Sequence, residues 1–219
     1  MRIDAVIFDL DGTLIDTQEL ILASFRVATA EVLGQSVPDD EVVRYIGIPL
    51  IDQARILAPE HIDELMERYR RHNLALHDEL IRYFEGTREM LEGLAQRGKL
   101  LAVVTSKRNR PAREGLDSFG LRPFFTIILG MEDTVKHKPD PEPLLEAARR
   151  LKVDPTHCVY VGDSIYDMQS ARSAGMGAIA ALWGMHSAEQ LRDAGAQYEA
   201  SNPAEVCPLI DTLCGSSST

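Results

Sequence analysis

Asp9 and Asp11 stand two positions apart in the stretch FDLDGTLIDT, directly after the apolar run AVIF. Carboxylates gathered this closely repel, and each raises the other's pKa unless a cation lies between them. Hard oxygen donors of this kind suit Mg²⁺. Three further stretches carry related groups. VVTSK presents Thr105 and Ser106, KHKPDP presents Lys136 and Lys138, and VGDSIYDM presents Asp163 and Ser164, with Asp167 one helical turn later. A lysine and helix N-termini beside a metal suit a phosphate. Together such a set suits a phosphate held beside a metal ion. Each residue also has a plain structural reading. Asp11-Gly12 is a common turn, Thr105, Ser106 or Asp163 could cap the next helix, and either lysine could be a solvated loop charge. It is the set, from four separate segments, that points to one site.

These groups need elements that bring them together. Residues 3–9 form a short apolar run rich in Val, Ile and Phe, which reads as a buried strand. Similar runs recur at KLLAVVTS, FFTIILG, HCVYVGD and GAIAALW. Helical segments lie between them. GTREMLEGLAQRG places Met90, Leu91 and Leu94 on one face and stops at Gly98; PEPLLEAARRL starts on prolines; SIYDMQSARSAG stops at Gly175. Strands alternating with helices imply a doubly wound parallel sheet, an α/β Rossmann-like fold, with ligands bound outside the carboxyl ends of the strands. Every candidate residue falls at such an end. From Asp16 to Leu80 the alternation breaks, and four helical segments with no strand among them read as an inserted helical block. The expected division is a core of residues 1–15 and 84–219 and a helical cap of residues 16–83.

Composition narrows the classes. A formal net charge of −11 argues against a nucleic-acid binder or an anionic-membrane binder, because both need a basic face. A small anionic substrate stays open, since a metal reverses the local field. The three cysteines, Cys158, Cys207 and Cys214, fit no zinc spacing or disulfide framework, and no signal peptide or spanning segment is read, so a reducing cytoplasm is expected. The tail GSSST reads as a frayed end.

FDLDGTLIDT, VVTSK, KHKPDP and VGDSIYDM resemble, in order and separation, the four motifs of the haloacid dehalogenase-like phosphohydrolases. The helical block lies where the family's subclass I carries its cap. Within the family the chain is most similar to phosphoglycolate phosphatases and the related bacillus-type pyrophosphatases, through VRYIGIPL and VGDSIYDMQSARSAGM. The resemblance implies that Asp9 is the nucleophile and forms an aspartyl-phosphate, and that Asp11 is general acid and then general base. Gly12 would let the chain turn sharply enough for both roles. The resemblance further implies Mg²⁺ held by the Asp9 carboxylate, the Asp11 carbonyl and Asp163, with Asp167 beside them. Thr105 and the Ser106 amide would bind phosphate oxygens, and Lys138, which precedes Pro139 as the family lysine commonly does, would neutralise phosphate and Asp9. Residues 44–50 of the cap are expected to contact substrate, with Gly47 singled out for its backbone; ordinary packing is the competing reading of Tyr45, Ile46, Ile48 and Leu50. The return segment RYFEGT carries Glu85 where relatives often have proline.

The expected activity is Mg²⁺-dependent hydrolysis of a small phosphorylated metabolite, phosphoglycolate first, with pyrophosphate or a sugar phosphate (hydrolysed or isomerised) as alternatives. Monomer and homodimer are both compatible with the sequence. A phospho-accepting receiver module is the non-enzymatic rival; it would be shorter and lack a helical insert. Dehalogenation on the same fold is disfavoured by Asp11.

Overall fold

The computed structural model describes residues 2–215. The chain begins with β1 (Ala5–Phe8) and β2 (Ile15–Asp16), then forms α1 (Gln18–Leu33), α2 (Asp39–Val43), α3 (Leu50–Leu57) and α4 (Ile62–Leu80). It returns through β3 (Arg82–Tyr83) and α5 (Thr87–Gln96) to β4 (Leu100–Val104), α6 (Asn109–Ser118) and β5 (Ile127–Leu129). The remainder is α7 (Glu142–Leu151), β6 (Cys158–Gly162), α8 (Ile165–Ser173), β7 (Gly177–Ala181), α9 (Ala188–Asp193), β8 (Tyr198–Ala200) and α10 (Val206–Gly215). Of the tail GSSST, Gly215 ends α10 and the other four residues lie outside the described range.

Six strands form one parallel sheet in the order β5-β4-β1-β6-β7-β8. The run AVIF is apolar throughout because both faces of β1 are covered. Ala5 and Ile7 join a core with Leu144, Tyr160 and Met168, while Val6 and Phe8 join another with Met90, Leu94 and Leu116. This is the pattern of a central strand in a doubly wound sheet. Strand β1 is also where the connections reverse direction, with β4 on one side and β6 on the other, so a crevice opens at its carboxyl end.

The helices α1 to α4 have a core of their own, built around Phe25, Ala28, Val42, Ile46, Ala54 and Leu65. Helix α1 ends at Gly34, whose left-handed backbone (φ 76°) lets its N–H reach Ala30 O at 3.1 Å. The sequence reading had no strand between Asp16 and Leu80; the structure puts Asp16 in a ribbon. Strands β2 and β3 pair antiparallel, Ile15 with Tyr83 and Asp16 with Arg82, and so tie together the points where the chain leaves and rejoins the sheet. Two residues a side are too short to show a period.

Helices α6, α9 and α10 and strand β8 also have no counterpart in the sequence reading. Helix α6, NRPAREGLDS, buries only Ala112, Gly115 and Leu116, which leaves its polar composition dominant. The FFTIILG segment shortens to Ile127–Leu129, because Pro123 sits in a 3-10 turn spanning Arg122–Phe124. No helix of the described residues is long and apolar enough to cross a membrane.

A core separate from that of the sheet makes a testable statement. Phe25 is 1% exposed and its ring packs 4.6 Å from that of Tyr69 on α4. Phe25→Ala should destabilise the helical block by about 3–5 kcal/mol. In hydrogen exchange, protection should fall in α1 and α4 and hold in β1 and β6. Equal loss in the sheet would show that block and sheet unfold as one unit.

Candidate active site

Strand β1 delivers Asp9, whose N–H donates to Val161 O of β6 at 2.9 Å. Strand β4 delivers Thr105, with its N–H on Leu129 O at 3.0 Å, and β6 delivers Asp163. Helix α8 fixes Asp167 through its own start. Ser164 caps the helix, and Asp167 Oδ2 accepts from the Ser164 N–H at 2.9 Å and from its hydroxyl at 2.6 Å. This capping box is a local consequence of the sequence Ser-Ile-Tyr-Asp.

Asp9, Asp163 and Asp167 are all buried, and each brings a carboxylate oxygen within 4.8 Å of the other two. Lys138 reaches in from the loop before α7. Its Nζ lies 2.6 Å from Asp167 Oδ1, 3.0 Å from Asp9 Oδ1 and 3.1 Å from the Tyr160 hydroxyl. Tyr160 in turn donates to Val104 O at 2.9 Å. Lys136, the other candidate lysine, is on the surface and pairs with Asp140 at 3.1 Å. The ammonium of Lys138 is thus the cation of this cluster among the described residues.

The charges are unbalanced. Burial raises the Asp9 pKa well above the carboxylate range, Lys138 opposes that, and Asp167 and Asp163 add to it. Asp163 is pushed up to about 7, first by burial and then by Asp167, against hydrogen bonds from the Met185 N–H and the Thr13 hydroxyl. For Lys138, burial disfavours the charge, yet Asp167 and Asp9 outweigh it and hold the amine above its usual pKa. Asp9 Oδ1 is buried and receives no well-aligned hydrogen bond; its contact with Lys138 is an ion pair only. A hard divalent cation fits such a site: buried carboxylates, surplus negative charge and an oxygen lacking a donor. Asp167 fits as a support, because its Oδ1 takes the Lys138 amine and its Oδ2 takes the N–H and hydroxyl of Ser164.

The Asp11 carboxylate is not part of this cluster. Its Oδ1 accepts from Lys107 Nζ at 2.7 Å. Gly12 has φ +80°, and a Cβ there would collide with the Asp163 carboxylate, so the turn after Asp11 is tight for two reasons. The main-chain N–H groups of Leu10, Asp11 and Ser106 donate to no acceptor among the described residues. Free amides beside a buried carboxylate cluster are suited to phosphate oxygens.

Ser106 and Gly47 meet each other. The Ser106 hydroxyl donates to Gly47 O at 2.6 Å, and Tyr166 donates to Arg44 O at 2.9 Å. Gly47 has φ +114°, and a Cβ there would lie 2.5 Å from Ser164 Oγ. Glycine is what lets residues 44–50 close onto the sheet. Ile46 is buried in the helical core, whereas Ile48 and Leu50 are half-buried; all three border the cleft between the two bodies. That cleft holds about 710 Å³ and reaches Asp9, Asp11, Thr105, Ser106 and Asp163. A second depression of about 670 Å³, beside Arg113, Asp117 and Arg122, contains none of them.

Residues 6–181 match the profile described as haloacid dehalogenase-like hydrolase. The chain belongs to that family. This haloacid dehalogenase-like hydrolase is 40% identical over 210 residues to a protein of Caldanaerobacter subterraneus provisionally named pyrophosphatase PpaX, covering 96% of each chain. It is 35% identical over 210 residues to the pyrophosphatase PpaX of Halalkalibacterium halodurans, covering 96% of this chain and 98% of that one. Among solved structures it resembles a protein of Lactobacillus plantarum provisionally described as a phosphoglycolate phosphatase. That likeness has TM-score 0.85 and 26% identity, over 95% of this chain and 100% of the other.

Several residues around this cluster have no place in the sequence reading. Lys107, Thr13 and Tyr160 hold Asp11, Asp163 and the Lys138 amine. Thr13 and Lys107 were visible only as neighbours of the motif residues, and Tyr160 only as an apolar-looking strand position.

Lys138→Met should leave Asp9 and Asp167 buried without their counter-ion. Breaking a buried pair in this way costs about 3–5 kcal/mol. For a chain of this size that lowers Tm by roughly 6–20 °C. An unchanged melting curve for metal-free Lys138→Met would show that the amine does not carry the charge balance.

Proposed function

We propose that this hydrolase is a Mg²⁺-dependent phosphohydrolase of a small phosphorylated metabolite, working through an aspartyl-phosphate on Asp9. Phosphoglycolate is the first candidate substrate. Pyrophosphate is the second reading, favoured by the names of the two relatives at 40% and 35% identity. The observation that carries the proposal is Asp9 itself. It is a buried carboxylate on a central strand end, facing a cleft, with one oxygen lacking a donor and a lysine at 3.0 Å.

The chain's own groups divide the work. Asp9 attacks phosphorus in line, which a carboxylate does when the phosphoryl charge is neutralised. Lys138 supplies part of that neutralisation, and Asp167 and Tyr160 keep its amine aimed at Asp9. The Thr105 hydroxyl and the free amides of Leu10, Asp11 and Ser106 bind phosphoryl oxygens, arranged before the substrate arrives. Asp9 and Asp163, with the Asp11 carbonyl, would hold the cation, and when bound it supplies further charge neutralisation at the phosphoryl group. Asp11 gives a proton to the leaving oxygen and later takes one from water. To do so its carboxyl must exchange the Lys107 contact for the substrate. Residues 44–50, closed on Ser106 and Ser164, keep bulk water from the cleft and border the leaving group.

Asp9→Asn should reduce phosphate release from phenyl phosphate by about three orders of magnitude or more, and EDTA should abolish release by the unaltered chain. Asp11→Asn should slow turnover most for poor leaving groups. Near-normal turnover of Asp9→Asn would remove the nucleophile assignment, and a stable phosphoprotein without turnover would favour a receiver-like role.

A further inference from the structure

The positive charges that line the cleft are nearly all matched. Lys107 lies on Asp11 at 2.7 Å, Arg108 on Glu132 at 2.8 Å and Arg110 on Glu114 at 2.7 Å. Arg70 differs. It borders the same cleft from α4, it is exposed, and it has no hydrogen bond or ion pair to any described residue. Its helical neighbours Arg68 and Arg71 are both paired with Glu31. In a chain of net charge −11, a guanidinium left unpaired at a cleft wall stands out from its surroundings. That wall is otherwise largely apolar, formed by residues such as Ile48, Met66 and Tyr69.

The direction of the reaction gives this charge a position. In-line transfer places the leaving group opposite Asp9. It therefore points away from the strand ends and into the cleft, toward the helical block. Tyr69, the residue before Arg70, lines the same cleft as Asp11. Helix α4 thus borders the space next to the proposed acid, where the leaving oxygen must sit. Asn73, one turn beyond Tyr69, lines the same space and donates weakly to the Tyr69 hydroxyl at 3.4 Å.

We infer that Arg70 is a specificity residue that binds a second anionic group, carboxylate or phosphate, on the leaving-group side of the substrate. The inference rests on the phosphohydrolase reading of the site. A guanidinium presents paired N–H donors that match either oxyanion, and an apolar wall strengthens that contact by excluding water. The carboxylate of phosphoglycolate and the second phosphate of pyrophosphate both offer such a group. Phenyl phosphate does not.

Steady-state kinetics of the unaltered chain and of Arg70→Gln at saturating Mg²⁺ test this with phosphoglycolate, pyrophosphate and phenyl phosphate. For at least one of the first two, kcat/KM should fall about tenfold or more, carried mainly by KM, and Arg70→Lys should restore part of it. For phenyl phosphate the change should stay within about twofold, which also shows that the variant is folded and active. Whichever of the two substrates falls identifies the anion as carboxylate or phosphate. An equal loss on all three substrates, no loss on any, or turnover of phenyl phosphate alone overturns the role of Arg70 and leaves the phosphohydrolase reading standing. Release of phosphate from none of the three by the unaltered chain overturns both.

Discussion

A single buried ammonium faces three buried carboxylates. Lys138, 3% exposed, bonds to Asp167 and Tyr160 and lies against Asp9, while Asp163 completes the acidic group from the next strand end. Removing that many charges from water is costly, and one lysine offsets one carboxylate. Two negative charges remain, which is the charge a divalent cation cancels. Without a cation the balance must come from protons, and the raised pKa values of Asp9 and Asp163 express that demand. The geometry around the cluster serves the same constraint. Gly12 and Gly184 leave no room for a Cβ against Asp163, so the carboxylate is packed by backbone on two sides.

The second constraint is closure. The helical block holds together through its own core and joins the sheet by the β2–β3 ribbon. It meets the carboxyl edge of the sheet through residues 44–50, where Gly47 packs against Ser164 and accepts from Ser106. Both serines flank residues of the strand-end cluster: Ser106 follows Thr105, and Ser164 lies between Asp163 and the helix that carries Asp167. A change in the seating of the loop is therefore felt by groups at two strand ends. The cleft between the two is of mixed character, with Asp9, Asp11 and Asp163 at its floor and apolar residues of the helical block along its wall.

Much of this was legible in the sequence because the signals were local. The AVIF run, the four helical segments and the stops at Gly98 and Gly175 are written in residues a few positions apart. The strand-end rule then gathers Asp9, Thr105 and Asp163, with Lys136 and Lys138 both as candidates, without any coordinates. Other features were hidden because they depend on residues far apart in the chain. The choice of Lys138 over Lys136 becomes physical only when Asp9 and Asp167 are seen around it. The pairing of Lys107 with Asp11 joins positions 96 residues apart, and that of Thr13 with Asp163 joins positions 150 apart. Helix α6 was missed because its polar surface outweighs its three buried residues.

The charge balance of the buried cluster is tested most directly by calorimetric titration of Mg²⁺ into EDTA-treated, desalted protein, compared with Asp163→Asn. One ion should bind per chain, with release of protons from the cluster, and Asp163→Asn should lose most of that affinity. Absence of Mg²⁺ binding by the unaltered chain, or undiminished binding by Asp163→Asn, would contradict the assignment of this cluster as a cation-dependent catalytic centre.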